Sequence, residues 1–174
     1  MRKLLKSNHG ITMLEMMIGV VIIGITASMA VPRFMTAIDR MNFKSANREV
    51  ISTIREARSL AISTRVPHGV YFDGAGGQMV LFKKDTSTAD STYVDGSDSV
   101  LVTETFTGEE GVNGEELDYC GSTFFNNVAL FYPNGSVSSS GYAWTYRATQ
   151  DMVGVAVFRL LQSTGKLETI WEIY

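Results

Sequence analysis

A continuous apolar run from Ile11 to Val31 constrains this chain more than any other feature. Glu15 is the only ionisable residue inside the run, and the ten residues before it carry three cations and no acid. At about 1.5 Å per residue, a helix of this length spans roughly 31 Å, which matches the hydrocarbon core of a bilayer. We therefore predict a transmembrane helix with its basic leader on the cytoplasmic side.

Glu15 needs a specific role, because a carboxylate inside such a helix costs roughly 2.5–3.5 kcal/mol on insertion scales. A plain anchor or a long cleaved signal accounts for the apolar run but not for Glu15. The nearest small-residue cleavage site, Ser28-Met29-Ala30, follows a run that is long for a secretory signal. A buried helix of a soluble protein rarely carries so many uncharged residues in succession. None of these alternatives explains why a glycine, Gly10, separates the leader from Ile-Thr-Met-Leu-Glu.

This junction resembles the class III leader of type IV pilins and type II secretion pseudopilins. The resemblance implies that a prepilin peptidase cuts after Gly10, that Ile11 becomes the methylated N-terminus, and that Glu15 becomes the fifth mature residue. It also implies that Glu15 pairs with the N-terminal amine of a neighbouring subunit. The family most often has Phe in place of Ile11, and Leu or Ile in place of Met13 and Met16, so these differences are apolar substitutions.

The helix is predicted to continue beyond the membrane. Pro32 is a predicted kink, because proline removes one backbone hydrogen bond and crowds the preceding turn. An apolar stripe then steps by three or four residues, which is typical of an amphipathic helix. Its members are Phe43, Ala46, Val50, Ile54, Ala57 and Ala61. The helix should end near Thr64, because Pro67 disfavours helical geometry in the residue before it.

The remaining chain has the pattern of a β-rich head. Strands are predicted at 70–72, 79–82, 100–106, 128–132, 142–147, 153–161 and 167–174, with a hairpin turn at 73–77. Polar stretches at 83–99 and 108–119 are predicted to be surface loops. The fold class is α+β, a long N-terminal helix packed against a mostly antiparallel β head. Residues 1–10 are the leader, 11–65 the long helix with its transmembrane segment at 11–31, and 66–174 the head.

Three further strings resemble the GspH/FimT branch of the pilin-like proteins. They are Arg55-Glu56-Ala57-Arg58-Ser59-Leu60-Ala61-Ile62, Leu130-Phe131-Tyr132-Pro133-Asn134-Gly135 and Gly165-Lys166-Leu167. The resemblance implies sandwich-like sheets against the helix and a role as a minor pilin or pseudopilin. Residues 83–122 match nothing in that branch.

Charge is divided unevenly along the chain. Residues 33–65 have a balance of +4, whereas residues 66–174 have a balance of −9. This division indicates either charge complementarity between subunits or simply a soluble surface. An acidic head disfavours nucleic acid as a partner. Some FimT-like proteins bind DNA through a Gly-Arg-x-Arg string, but this chain has Gly165-Lys166-Leu167-Glu168.

Candidate catalytic and metal-binding residues are few. His68 lacks any motif that would supply an orienting acid and an oxyanion hole, so we expect a structural or exposed histidine and no enzymatic activity. The acids Asp95, Asp98, Glu109, Glu110, Glu115 and Glu116 lack the spacing of a known calcium loop. We expect them to form solvated loops, with no metal and no cofactor.

Two classes of function follow from these observations. The first is a structural minor subunit of a type II secretion pseudopilus or a type IV pilus, with prepilin peptidase and other pilins or pseudopilins as partners. The second is a membrane-anchored binding module whose head recognises a secreted substrate or surface. In both, the chain crosses the bacterial inner membrane once, with its head in the periplasm. The filament subunit then leaves the membrane on assembly.

Overall fold

The computed structural model describes residues 11–74, 77–85, 92–106, 119–149 and 152–173. They form one long helix followed by antiparallel strands, which confirms the α+β class. The elements are α1 (Met13–Thr64), β1 (His68–Asp73), β2 (Gln78–Lys83), β3 (Ser99–Thr105), β4 (Tyr119–Ser122), a 3₁₀ turn (Phe125–Asn127), β5 (Val128–Phe131), β6 (Gly141–Thr149), β7 (Met152–Leu161) and β8 (Lys166–Ile173).

Helix α1 has 52 residues and continues through Pro32 without a break in its assignment. The kink at Pro32 stays a prediction. The helix ends where the sequence predicts: the hydroxyl of Thr64 donates to the Leu60 carbonyl at 2.7 Å, and Arg65 has a left-handed φ of 57°. Pro67 then excludes further helix, since it lacks an amide hydrogen.

The residue contacts divide the chain into two compact units. The boundary between the units lies within α1, between Ile38 and Asp39. The predicted boundaries at residues 65 and 66 follow secondary structure instead. The second unit therefore contains the amphipathic half of the helix together with the head.

The strands form two four-stranded antiparallel sheets. Sheet A has the order β3-β2-β1-β5, and sheet B has the order β4-β6-β7-β8. The predicted hairpin is confirmed, because β1 pairs with β2 from His68↔Lys83 to Asp73↔Gln78. Within sheet B, the strands β6, β7 and β8 form two consecutive hairpins. Because β3 and β8 are edge strands, each leaves one side of its backbone without a strand partner.

The core joins the amphipathic half of α1 to both sheets. All six apolar residues of the predicted stripe are at most 2% exposed, so that prediction is confirmed. They pack in one cluster with residues such as Val70 and Leu81 of sheet A and Ala156 and Phe158 of sheet B. Each large side chain in this cluster contributes about 1.5–3 kcal/mol through removal from water.

Two polar pairs also connect α1 to sheet B. Asn47 is fully buried: its amide nitrogen donates to the Phe43 carbonyl at 2.7 Å, and its amide oxygen accepts from the Thr145 hydroxyl. At the end of the same strand, Arg147 donates to Asp39 at 3.0 Å. Such pairs fix how the strand lies on the helix, because an unmatched buried polar group is costly.

The structure differs from the sequence prediction in the middle of the chain. Residues 119–122 form β4, which pairs with β6 from Tyr119↔Tyr146 to Ser122↔Ala143, whereas no strand was predicted there. The prediction of a surface loop at 83–99 was wrong for Lys84 and Asp98, because both are buried and form an ion pair at 3.1 Å. These two charges neutralise each other away from water.

Candidate processing and assembly segment

The beginning of α1 is capped by a side chain. The Thr12 hydroxyl accepts a hydrogen bond from the Glu15 amide at 3.2 Å, and the Thr12 carbonyl accepts from the Met16 amide at 3.2 Å. Thr12 is therefore the N-cap, and Glu15 occupies the third helical position. A Thr followed three residues later by a Glu is the sequence pattern of a capping box. This capping box was not predicted from the sequence, although the residues carry its pattern.

The cap gives Glu15 a favourable position in the helix. Its carboxylate lies in the first turn and is exposed, as is the side chain of Ile11. A carboxylate in the first turn gains about 0.3–1 kcal/mol from the positive end of the helix dipole. This gain offsets only part of the cost of a charge in hydrocarbon. Among the described residues, no cation forms a salt bridge with Glu15. Gly10, the predicted cleavage residue, lies outside the described residues.

The first half of α1 has an apolar surface on every side. Its large apolar side chains from Met13 to Val31, together with Ile11 just before the helix, are 53–85% exposed. In the described part of the chain, α1 is the one helix long and apolar enough to cross a membrane. A helix that is hydrophobic all round needs lipid or other helices around it. This surface suits membrane anchoring.

Two polar side chains in this half satisfy their hydroxyl groups within the helix. Thr26 donates to the Ile22 and Ile23 carbonyls at 2.9 and 3.0 Å, and Ser28 donates to the Ile25 carbonyl at 2.8 Å. Such bonds to the preceding turn remove the need for water. The segment can thus enter hydrocarbon with its hydroxyl groups paired, which leaves Glu15 as the exceptional polar residue.

Of the candidate chemical residues of the head, the structure describes His68, Asp95 and Asp98. His68 is 2% exposed, and its Nδ1 lies 2.8 Å from the Val66 carbonyl oxygen. Within the described ranges, no group of three histidine, cysteine or acidic residues could hold a metal ion. Asp95 is exposed, as expected. The acids at 109, 110, 115 and 116 lie outside the described residues.

Asp98 contradicts the expectation of a solvated acid. Its carboxylate accepts from Lys84 Nζ and from the backbone amides of Asp85 and Val94, the latter two at 2.9 Å. Lys84 Nζ also donates to the Thr92 carbonyl at 2.6 Å. The Asp98 carboxylate thus joins the two ends of the connection between β2 and β3 by hydrogen bonds.

The three strings that resemble the GspH/FimT branch meet at one point in the fold. Arg58 Nε donates to the Gly135 carbonyl at 3.1 Å, and its Nη2 donates to the Thr164 carbonyl at 2.8 Å. Gly165 has a φ of +58°, and a Cβ there would lie 2.3 Å from the Gly135 oxygen. Only glycine fits such a position. One arginine of α1 therefore forms hydrogen bonds with two turns of the head that are distant in the sequence.

A family model described as the prokaryotic N-terminal methylation motif matches residues 5–31. The matched residues include the second half of the leader with Gly10, the Thr12 cap, Glu15 and the apolar half of α1. No solved structure matches the chain. The sequence match and the exposed apolar helix agree, so the N-terminal segment of this chain is similar to the prepilin signal of type IV pilin-like proteins.

Proposed function

We propose that this chain is a structural minor subunit of a type II secretion pseudopilus or a type IV pilus. The observation that carries the proposal is the prepilin-like signal at residues 5–31, joined to an exposed apolar helix. Processing by a prepilin peptidase after Gly10 would make Ile11 the methylated N-terminus. The partners are that peptidase and other pilins or pseudopilins.

Assembly transfers the apolar half of α1 from lipid to a bundle of like helices. Both environments satisfy its exposed apolar surface, so the transfer costs little hydrophobic energy. Glu15 then positions the incoming subunit against its neighbour. Its carboxylate is the one charge in the segment, and the new α-amino group of the neighbour is a suitable partner. A charge-assisted pair in a medium of low dielectric constant is strong and geometrically specific.

The contacts of Arg58 support assignment to the GspH/FimT branch. Arg58 and Thr164 are 106 residues apart in the sequence, yet the three resembling strings converge on one arginine and two turns. This convergence gives a physical reason for their joint occurrence. We assign no catalytic activity, cofactor or nucleic acid to the protein. Its location is the inner membrane, crossed once with the head in the periplasm, and then the filament.

A membrane-anchored binding module is the second candidate. A groove between the β5–β6 connection and the end of β7 supports it, lined by Tyr132, Gln162 and several serines. However, the hydroxyls of Ser138 and Ser140 already accept hydrogen bonds from the backbone amides of Leu130 and Gln162. Because these hydroxyls serve the fold, the groove supports a binding role less strongly than the N-terminal segment supports assembly.

Co-purification with sheared filaments tests the proposal. Glu15→Gln keeps the shape of the side chain but removes its charge, so it should leave membrane levels unchanged and reduce recovery in filaments. Asp95→Ala removes an exposed acid from the head and is the matched control, which should be recovered like the wild type. Equal recovery of Glu15→Gln and wild type at equal membrane levels would favour the binding module instead.

A further inference from the structure

A row of cations follows one side of the amphipathic half of α1. We call this the cationic flank: Arg40, Lys44, Arg48, Arg55 and Arg58. At about 100° per residue, their spacing places all five within roughly 80° of one another around the helix. Arg58 is half-buried and the other four are exposed. Among the described residues, no acid forms a salt bridge with any of the five.

The other side of the same helix carries acids. We call this the acidic flank: Glu49 and Glu56 of α1 with Glu104 of the edge strand β3. Burial raises the pKa of Glu104, and the negative charge of Glu49 raises it further. No salt bridge in the described structure joins a cation to the carboxylate of Glu49, Glu56 or Glu104. A cation supplied from outside the chain would relieve their repulsion.

The two flanks lie about 130° apart around the helix, on either side of its solvent-facing line. Ser45, Ser52 and Ser59 occupy the line between them at intervals of seven residues, and all three are exposed. Small side chains there leave both flanks accessible. The exposed surface of α1 therefore carries cations on one side of the serine line and acids on the other.

Two grooves lie beside the cationic flank. One, of about 370 Å³, lies between Arg55 and Arg58 of α1 and the residues around Gly165 and Leu167. The other, of about 460 Å³, lies between Lys44 and Arg48 of α1 and Trp171 and Ile173 of β8. Both have apolar walls from β8 next to cations from α1. A partner side chain that enters them would have its charge neutralised and its stem buried.

We propose that the cationic flank of one copy binds the acidic flank of a second copy of this chain. The inference rests on the proposed role as a filament subunit and adds a surface by which two neighbouring copies meet. The two flanks are different surfaces, so the contact between these copies is heterologous.

The surroundings of the grooves favour a protein partner over a polyanion. Lys166 lines one groove but is already paired with Glu168 at 3.0 Å, and Glu172 follows Trp171 at the other. These acids would repel a continuous phosphate backbone along β8. Separate carboxylates at helical spacing, as on the acidic flank, meet the cations without crossing β8.

A charge-swap experiment on the full chain tests the proposal. Variant one carries Arg48→Glu and Arg55→Glu, and variant two carries Glu49→Arg and Glu56→Arg. Copies bearing two different epitope tags are co-expressed, extracted in mild detergent and co-purified at low salt after nuclease treatment. Lys83→Glu, at an exposed site outside both grooves, is the control for a change of charge.

Each variant should lose about tenfold in co-purification with itself, equivalent to about 1.4 kcal/mol, because like charges then face each other. Co-purification of variant one with variant two should return to the wild-type level, since every contact between the two variants again joins opposite charges. A defect in folding cannot produce this rescue. The proposal is wrong if the variants associate like Lys83→Glu, if the mixture shows no rescue, or if nuclease abolishes association of the wild type.

The outcome is separable from that of the proposed function. If Glu15→Gln enters filaments normally but the charge swap shows loss and rescue, copies associate through these flanks without filament assembly directed by Glu15. If Glu15→Gln is excluded and the charge swap has no effect, the filament role stands and the flanks are not its contact.

Discussion

Removing the carboxylate of Asp98 should strongly destabilise the head. Its side chain is 0% exposed, and that of its partner Lys84 is 3% exposed. Asp98→Ala would leave the buried Lys84 ammonium group hydrogen-bonded, among the described residues, to the Thr92 carbonyl. It would also remove the acceptor for the Asp85 and Val94 amides.

The expected cost is about 3–5 kcal/mol, the range for breaking a buried ion pair by deleting one partner. For a domain of this size the midpoint of thermal unfolding should fall by about 10–20 °C. Lys84→Met added to Asp98→Ala should recover part of the loss, because it removes the uncompensated charge. Asp95→Ala, three residues away and exposed, should change stability by less than about 0.5 kcal/mol.

Tryptophan fluorescence of the full chain in detergent micelles measures these differences. The chain has two tryptophans, Trp144 and Trp171, and both lie in sheet B, so the signal reports on the head and not on the membrane helix. A loss below about 1 kcal/mol for Asp98→Ala would refute the reasoning, because it would mean that the pair is solvated or dispensable. A double variant less stable than Asp98→Ala would refute the role assigned to Lys84.

Two further changes test other parts of the fold. Arg58→Ala should lower the free energy of unfolding by about 1–3 kcal/mol, because two turns lose a charged hydrogen-bond donor. The control Arg55→Ala should lower it by less than about 0.5 kcal/mol. Unfolding by denaturant compares the two variants, and equal effects would contradict the role of Arg58. Because the pKa of Glu104 is raised, the folded state holds a proton at pH values where the unfolded state has already released it. The free energy of unfolding should therefore fall as the pH rises from the ordinary glutamate pKa through the raised value. Glu104→Gln should remove this fall, and a wild-type stability that rises over that window would contradict it.

Local patterns were sufficient to predict the helix and most strands. The stripe from Phe43 to Ala61 has the helical period, and its burial follows directly from that period. The glycine-rich turn after Asp73 predicted the β1–β2 hairpin, since glycine allows the tight reversal. In each case the determining residues lie close together in the sequence.

The features that escaped prediction depend on contacts between distant residues. Strand β4 has four residues, including Gly121 and Ser122, and no alternation of apolar residues; it pairs because β6 offers a free edge. Likewise, Lys84 and Asp98 are polar residues in a polar stretch, and their burial follows from their mutual pairing. The Thr12 cap is the exception, because its pattern was local and was overlooked.

The N-terminus of the mature protein tests the central claim most directly. Mass spectrometry of the full chain extracted from membranes should find Ile11 as the first residue, with one added methyl group. Gly10→Val should retain the leader, since a β-branched side chain adds bulk at the bond to be cut. An intact leader on the wild-type protein in cells with an active prepilin peptidase, or a cut near Ala30, would contradict the account.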